Sequence, residues 1–372
     1  MVKSLYIHIP FCQSRCAYCD FYSTVYSKDL AASFVLALAE QLKRLDYNFE
    51  TIYIGGGTPT ILDIDLTEKL LKELQRLAGD LKEFTIEANP ESLDADKIKL
   101  FLDYGANRIS IGCQSFDDQK LKFLGRAHCA DQALKSLKLA KKIGFDNISI
   151  DLIYGLPDES SKAWGKELAR AGELPITHLS AYMLTYEKET RLFKRLQNKK
   201  FLPLAADKVA GMYKQLISQL AAKNIFQYEI SNFAKTGCRS IHNCRYWENE
   251  SYLGLGPSAS SFLGGLRRKN ISSLEKYITA LKNGKQIWDY SEKLSPLAAA
   301  KETAALKIRT AEGLDFSWFL KKTGFDFLKI EKEALPLLLK QKLIKYSQGS
   351  RKKIQLTRKG FLFADTVSSA FL

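Results

Sequence analysis

The sequence predicts an α/β fold: an incomplete (β/α)6 barrel followed by a smaller C-terminal α+β domain of winged-helix type. Three observations carry this expectation. Short β-branched or apolar runs alternate with longer amphipathic segments, the pattern of βα units on a parallel sheet. Six such units can be read, whereas a closed barrel needs eight. After about residue 190 the alternation stops, and the chain ends in helical segments around one hairpin.

Taken in order, strands are expected near Leu5–Ile9, Thr51–Ile54, Phe84–Glu87, Arg108–Gly112, Asn147–Leu152 and His178–Met183. Helices are expected between them, near Asp29–Leu45, Thr67–Ala78, Asp94–Tyr104, Asp131–Ile143 and Lys162–Gly172. The chain then reads as helical to about Asn224 and loop-rich through Tyr228–Gly265. The terminal hairpin is placed at Lys342–Tyr346 and Lys353–Thr357, around the turn-forming Gln348-Gly349-Ser350. A wing of this kind serves either DNA binding or packing as a lid, and packing is the preferred reading. The expected organisation is a barrel over 1–235, a linker over 236–290 and a C-terminal domain over 291–372.

At 372 residues and 46% hydrophobic content, the chain can bury one large core and a second, smaller one. The longest apolar stretch, about Leu30 to Ala39, is interrupted by Ser33 and too short to cross a bilayer. The N-terminus runs straight into a strand-like segment with no secretory pattern, so a cytoplasmic location is expected. Seven cysteines, three of them crowded together, argue for metal ligation rather than a disulfide framework. The net charge of +15 suits anionic partners or simply a basic solvated surface, because the lysines are scattered.

In such a barrel, chemistry gathers at the carboxyl ends of the strands. The first strand is followed by Cys12, Cys16 and Cys19 in a C-x-x-x-C-x-x-C spacing. Three thiolates on one tight loop can hold three irons of a cubane and leave the fourth open. A closed zinc site would need a fourth ligand, and none follows at the usual spacing; His8 is a weak candidate because it lies within the strand. The second strand runs into Gly55-Gly56-Gly57-Thr58-Pro59, where the backbone can approach something closely. The third ends in Glu87-Ala88-Asn89-Pro90, the fourth in Gly112-Cys113-Gln114-Ser115-Phe116 with Gly125-Arg126 beyond, and the fifth in Asp151-Leu152-Ile153-Tyr154-Gly155-Leu156-Pro157.

With Tyr18 just before the third cysteine, this constellation resembles the radical S-adenosylmethionine (radical SAM) superfamily. The strings YIHIPFC, GGGTPT, EANPE, GCQSF, LGRAH and DLIYGLP narrow the resemblance to the branch holding oxygen-independent coproporphyrinogen III dehydrogenase and HemW-like heme chaperones. Two absences favour the chaperones: the dehydrogenase pattern carries a further cysteine where this chain has Phe21, and an N-terminal extension that is missing here. So does Ile241-His242-Asn243-Cys244-Arg245-Tyr246-Trp247, which matches the H-N-x-x-Y-W string associated with heme in that family.

The resemblance implies a [4Fe-4S] cluster on Cys12, Cys16 and Cys19. It implies S-adenosylmethionine lined by Tyr6 and Tyr18, met by Gly56, Gly57 and Thr58, and held by Glu87. Gln114, Arg126 and Asp151 match positions that hold a second S-adenosylmethionine in the dehydrogenase, and His242 is the expected heme residue. Implied partners are heme, recipient hemoproteins such as membrane-bound respiratory enzymes, and an electron donor; nucleic acid is not expected. The implied site of action is the cytoplasm or the inner face of the membrane. Ser258-Ala259-Ser260-Ser261 departs from the glycine-rich run expected on the substrate side. Turnover of coproporphyrinogen III is not expected, and the dehydrogenase remains the alternative. A zinc-stabilised protein without radical chemistry is a third reading.

Overall fold

The computed structural model describes residues 2–347, 349 and 351–372. Six parallel strands lie side by side in chain order: β1 (Ser4–Ile9), β2 (Phe49–Gly56), β3 (Ala78–Ala88), β4 (Arg108–Gln114), β5 (Asn147–Tyr154) and β6 (His178–Met183). Helices α1 (Lys28–Lys43), α2 (Ile64–Arg76), α3 (Ala95–Asp103), α4 (Ala130–Ile143) and α5 (Ser161–Ala171) connect them. Each expected strand and helix is found, with bounds shifted by a few residues. The period-two alternation of β1 explains the layering. Leu5, Ile7 and Ile9 face outward and join Phe34 and Leu38 of α1 and Leu70, Leu71 and Leu74 of α2 in the main core.

The opposite face of the strands lines a polar barrel interior. Tyr53 donates to Glu87, Ser110 to Asp151, and Ser149 meets His178. Polar groups survive there because they partner one another across neighbouring strands.

Residues 236–290 are not a linker. Helix α6 (Ala206–Ala221) precedes β7 (Asn232–Ala234), which pairs antiparallel with β6. Helix α7 (Ile241–Trp247) then leads to β8 (Tyr252–Leu255), which pairs in parallel with β1 on its free side. Ser260–Leu263, Leu266–Asn270 and Trp288–Lys293 extend that edge as an antiparallel ribbon, giving a 12-stranded open sheet. The glycines that suggest a loop serve close strand approach instead. A Cβ at Gly254 would overlap the carbonyl of Ser260, and one at Gly256, with φ +97, would overlap the carbonyl of His8.

Beyond Lys293 a second core forms around Ala304, Phe319, Phe327, Ile354 and Phe371. Its sheet orders Leu314–Asp315, Lys353–Leu356 and Ile344–Tyr346, so the expected hairpin and winged-helix arrangement are present. Gln348 and Ser350 of its turn lie outside the described residues. The last helices, Arg358–Leu362 and Ala364–Ser369, bring Phe361, Leu362 and Asp365 to the mouth of the barrel.

Candidate active site

The cysteine loop leaves β1 and is fastened at three points. Phe11–Cys12 pairs with Thr24–Val25, and the buried Phe11 ring packs edge-on against Tyr26 and Phe34. Ala17 N–H donates to the Leu124 carbonyl at 2.8 Å, and Leu192 N–H donates to the Ala17 carbonyl at 2.8 Å. Cys12, Cys16 and Cys19 then border a cavity of about 620 Å³ at the carboxyl ends of the strands. Tyr18, Gly56, Gly57, Thr58, Glu87, Gln114, Arg126 and Asp151 border the same cavity.

The three glycines are required first by the protein itself. A Cβ at Gly55 would lie 2.8 Å from the Glu87 carboxyl, at Gly56 2.6 Å from the His8 ring, and at Gly57 2.6 Å from the Phe11 carbonyl. Gly56 also has φ +109, which an L side chain rarely adopts. Two of their N–H groups are used within the protein. Gly56 N–H donates to Glu87 Oε2 at 3.1 Å, and Gly57 N–H to the Ile9 carbonyl at 2.8 Å. The run brings the strand ends together and leaves a side-chain-free wall.

Two of the thiols are tied by a belt of polar side chains. Thr58 Oγ1 donates to Cys12 Sγ at 3.6 Å and accepts from Asn89 Nδ2 at 2.8 Å. Arg126 Nη2 donates to Asn89 Oδ1 at 2.7 Å and to the Gly112 carbonyl at 2.9 Å, while Nη1 reaches Cys16 Sγ at 3.5 Å. Asn89, visible in the sequence as the amide of the EANPE string, thus orients both donors to sulfur. Gln114 is brought to the rim by a register shift in β4 and a backbone φ of 64°.

Burial pushes the Cys12 thiol up, and burial with the neighbouring Cys16 and Cys12 sulfurs pushes Cys19 up to about 11. Crowded thiols that resist ionisation are relieved by a bound cation, and soft thiolate donors suit iron–sulfur clusters. Among the described residues, no group of three His, Cys, Asp or Glu side chains is gathered to hold one metal ion. A cubane takes one thiolate per iron and needs no such convergence. The residues present fit the cluster.

Burial, opposed by the Tyr53 hydroxyl and reinforced by Asp151, raises Glu87 to about 7. Tyr53 OH donates to its Oε1 at 2.6 Å. Burial also raises Asp151, against the pull of Ser180 and Arg108. Two carboxyls facing one cavity make it receptive to a cationic ligand.

Two expected site residues lie elsewhere. Tyr6 sits beneath the cavity, its hydroxyl 3.1 Å from His8 Nδ1 and its ring 6.0 Å from that of Tyr53, so it props the wall rather than lining it. His242 lies on α7 at the opposite, amino end of the strands, 1% exposed. Its Nδ1 pairs with Thr51 Oγ1 at 2.9 Å and its Nε2 with Tyr246 OH at 2.8 Å, and burial lowers it to about 3. Neither nitrogen is offered to heme iron in this structure. His8 is likewise committed, with Nε2 2.9 Å from the Tyr22 carbonyl. Tyr182, Met183, Arg309 and Phe361 also border this cavity and were not among the expected site residues. The strand-end rule signalled the first two; nothing local signalled the others.

A partial parallel barrel with three thiols on its first loop and a glycine wall on its second defines a radical SAM protein. Residues 6–169 match the radical SAM superfamily, whose members carry a [4Fe-4S] cluster and S-adenosylmethionine. The heme chaperone HemW of Lactococcus lactis is 37% identical over 100% of this chain and 97% of its own length, and that of Escherichia coli is 40% identical over 69% of each. The chain belongs to the HemW family within that superfamily. Among solved structures, the coproporphyrinogen III oxidase HemN of Escherichia coli covers 100% of this chain with a TM-score of 0.86 at 23% identity, which shows the shared fold.

Proposed function

We propose that this protein binds heme and passes it to recipient hemoproteins, retaining a [4Fe-4S] cluster and S-adenosylmethionine as its resident cofactors. The observation that carries this reading is the end-to-end similarity to the HemW heme chaperone of Lactococcus lactis. Phe21, 65% exposed at the cavity rim, agrees with it, because it stands where the dehydrogenase pattern has a further cysteine.

In this reading Cys12, Cys16 and Cys19 hold the cluster. Glu87, Asp151, Gln114 and Tyr18 receive the polar groups of S-adenosylmethionine, while Thr58 and Arg126 donate toward the sulfurs. The cluster and cofactor together supply one-electron reduction chemistry when bound. The chain's own residues hold the charge, close the wall and keep the Arg126 guanidinium beside Cys16. The basic surface, with net charge +15, favours docking near an anionic membrane face where respiratory recipients sit. No helix among the described residues is long and apolar enough to cross a membrane.

The test is anaerobic. The cluster-reconstituted protein is given heme in one arm, and coproporphyrinogen III with reductant and S-adenosylmethionine in the other. Stable heme binding with transfer to an apo-hemoprotein and no protoporphyrinogen is expected. Formation of protoporphyrinogen establishes the dehydrogenase instead.

A further inference from the structure

The chain has four histidines, and every ring nitrogen among them is spoken for. His8 and His242 are paired as described. His128 Nδ1 lies 3.1 Å from Glu91 and Nε2 3.0 Å from the Cys113 carbonyl. His178 Nδ1 lies 2.8 Å from Ser149 Oγ and Nε2 2.8 Å from Tyr228 OH. All four are at most 5% exposed. A heme bound to this structure through histidine would have to break a buried pair and unpack a barrel wall.

Other heme ligands are thiolate, thioether and phenolate. Cys12, Cys16 and Cys19 belong to the cluster site, and Cys113, Cys129, Cys238 and Cys244 do not border the cavity. Of the tyrosines that do, Tyr18 lies between two of the cluster cysteines, Tyr154 is buried and stacked on Trp164, the Tyr213 hydroxyl donates to the Ile230 carbonyl at 2.8 Å, and the Tyr182 hydroxyl is bonded to Ser180. Burial also pushes the Tyr154 and Tyr213 phenols up.

Met183 remains. It is the last residue of β6, it borders the cavity, and it is 50% exposed, whereas Met212 is fully buried. Val209 and Met183 both approach Gly155, and Ile230 and Phe361 border the same cavity. Arg309, paired with Asp365 at 2.6 Å, stands on the same border and can meet a carboxylate. Apolar side chains, a soft sulfur and a cation on one border match a flat iron macrocycle carrying propionates.

We propose that Met183 supplies an axial thioether to the iron of heme seated in this cavity, with Phe361 against the ring and Arg309 toward a propionate. The inference rests on the heme-binding reading above. A single neutral thioether is a weak, exchangeable ligand that prefers ferrous iron, which suits a carrier that must let go.

The holoprotein, cluster reconstituted, is titrated anaerobically with iron protoporphyrin IX in both oxidation states. Wild-type protein should show the far-red thioether-to-iron absorption of ferric heme and tighter binding of ferrous heme. Met183→Ala should lose that absorption and bind ferrous heme about tenfold more weakly, with the cluster's EPR signal retained. Met183→His should restore tight binding with a histidine-type spectrum. His242→Gln, checked for folding by circular dichroism, should keep the wild-type heme spectrum. Unchanged spectrum and affinity in Met183→Ala overturn the assignment while leaving heme binding intact, as does loss of the heme spectrum in folded His242→Gln. Wild-type protein that binds no heme overturns the functional reading and the ligand with it.

Discussion

Glu87 joins the electrostatics of the site to its ligand. Its carboxyl accepts from Tyr53 and from Gly56 N–H, yet burial holds it near 7 rather than at 4.5. The folded-state value is raised, so the neutral carboxyl contributes stability that is fully present below the unfolded value and lost as pH rises through about 7. The shift sets an upper bound of about 3 kcal/mol on that contribution. Binding a cation such as S-adenosylmethionine favours the ionised form. Affinity for it should therefore increase with pH up to about 7 and level off above, and Glu87→Gln should flatten the profile in equilibrium dialysis. Arg126 acts on the sulfur side. Its guanidinium beside Cys16 favours the more negative, reduced cluster, so Arg126→Gln should move the midpoint potential to more negative values in an EPR-monitored titration.

At the scale of elements, α7 is the plug of the barrel's amino end. Glu83 caps its start, accepting from Ser240 Oγ at 3.0 Å, Ile241 N–H at 2.6 Å and His242 N–H at 3.2 Å. Arg245 pairs with Glu50 at 2.6 Å, where Lys3 and Lys82 also converge and hold that carboxyl down to about 2. On the helix's far side Lys307 reaches Glu248 at 2.7 Å, and Arg309 lies over the Trp247 ring at 5.6 Å. The H-N-x-x-Y-W string thus ties barrel and C-terminal domain together. Glu83→Ala removes a carboxylate shared by several buried donors and should cost about 3 kcal/mol or more. Thermal melts would show the loss, while the EPR signature of the cluster at the other end stays unchanged at low temperature.

The whole molecule has two cores, and the cavity borders both the barrel and the C-terminal helices. Lys307, 8% exposed, is a pin between them, pairing with Glu248 and lying 5.2 Å over the Trp318 ring. Lys307→Ala leaves Glu248 without this partner and should destabilise the junction by about 1–3 kcal/mol. Fluorescence of Trp318, in the second core, should then change at lower denaturant than the far-UV signal of the barrel.

The sequence by itself determined the six βα units, the cysteine loop and most of the rim. Period-two and helical alternation are local, and strand ends in a parallel sheet point the same way whatever the rest of the chain does. Cys12, Thr58, Glu87 and Asp151 stand at strand ends by that rule, whereas Arg126, beyond a helix that follows the fourth strand, is singled out by the family resemblance. Tertiary structure decided which groups remain available. His242 looks like a ligand in the sequence, but Thr51 and Tyr246 occupy both nitrogens, and one of those partners lies on a strand far away in the chain. Gly254 and Gly256 look like loop residues, but a neighbouring strand and His8 leave no room for a side chain. Met183, ordinary in the sequence, stands half exposed on the cavity border, while packing occupies every histidine nitrogen. Side-chain availability depends on partners brought together by long-range contacts, and no local pattern encodes it.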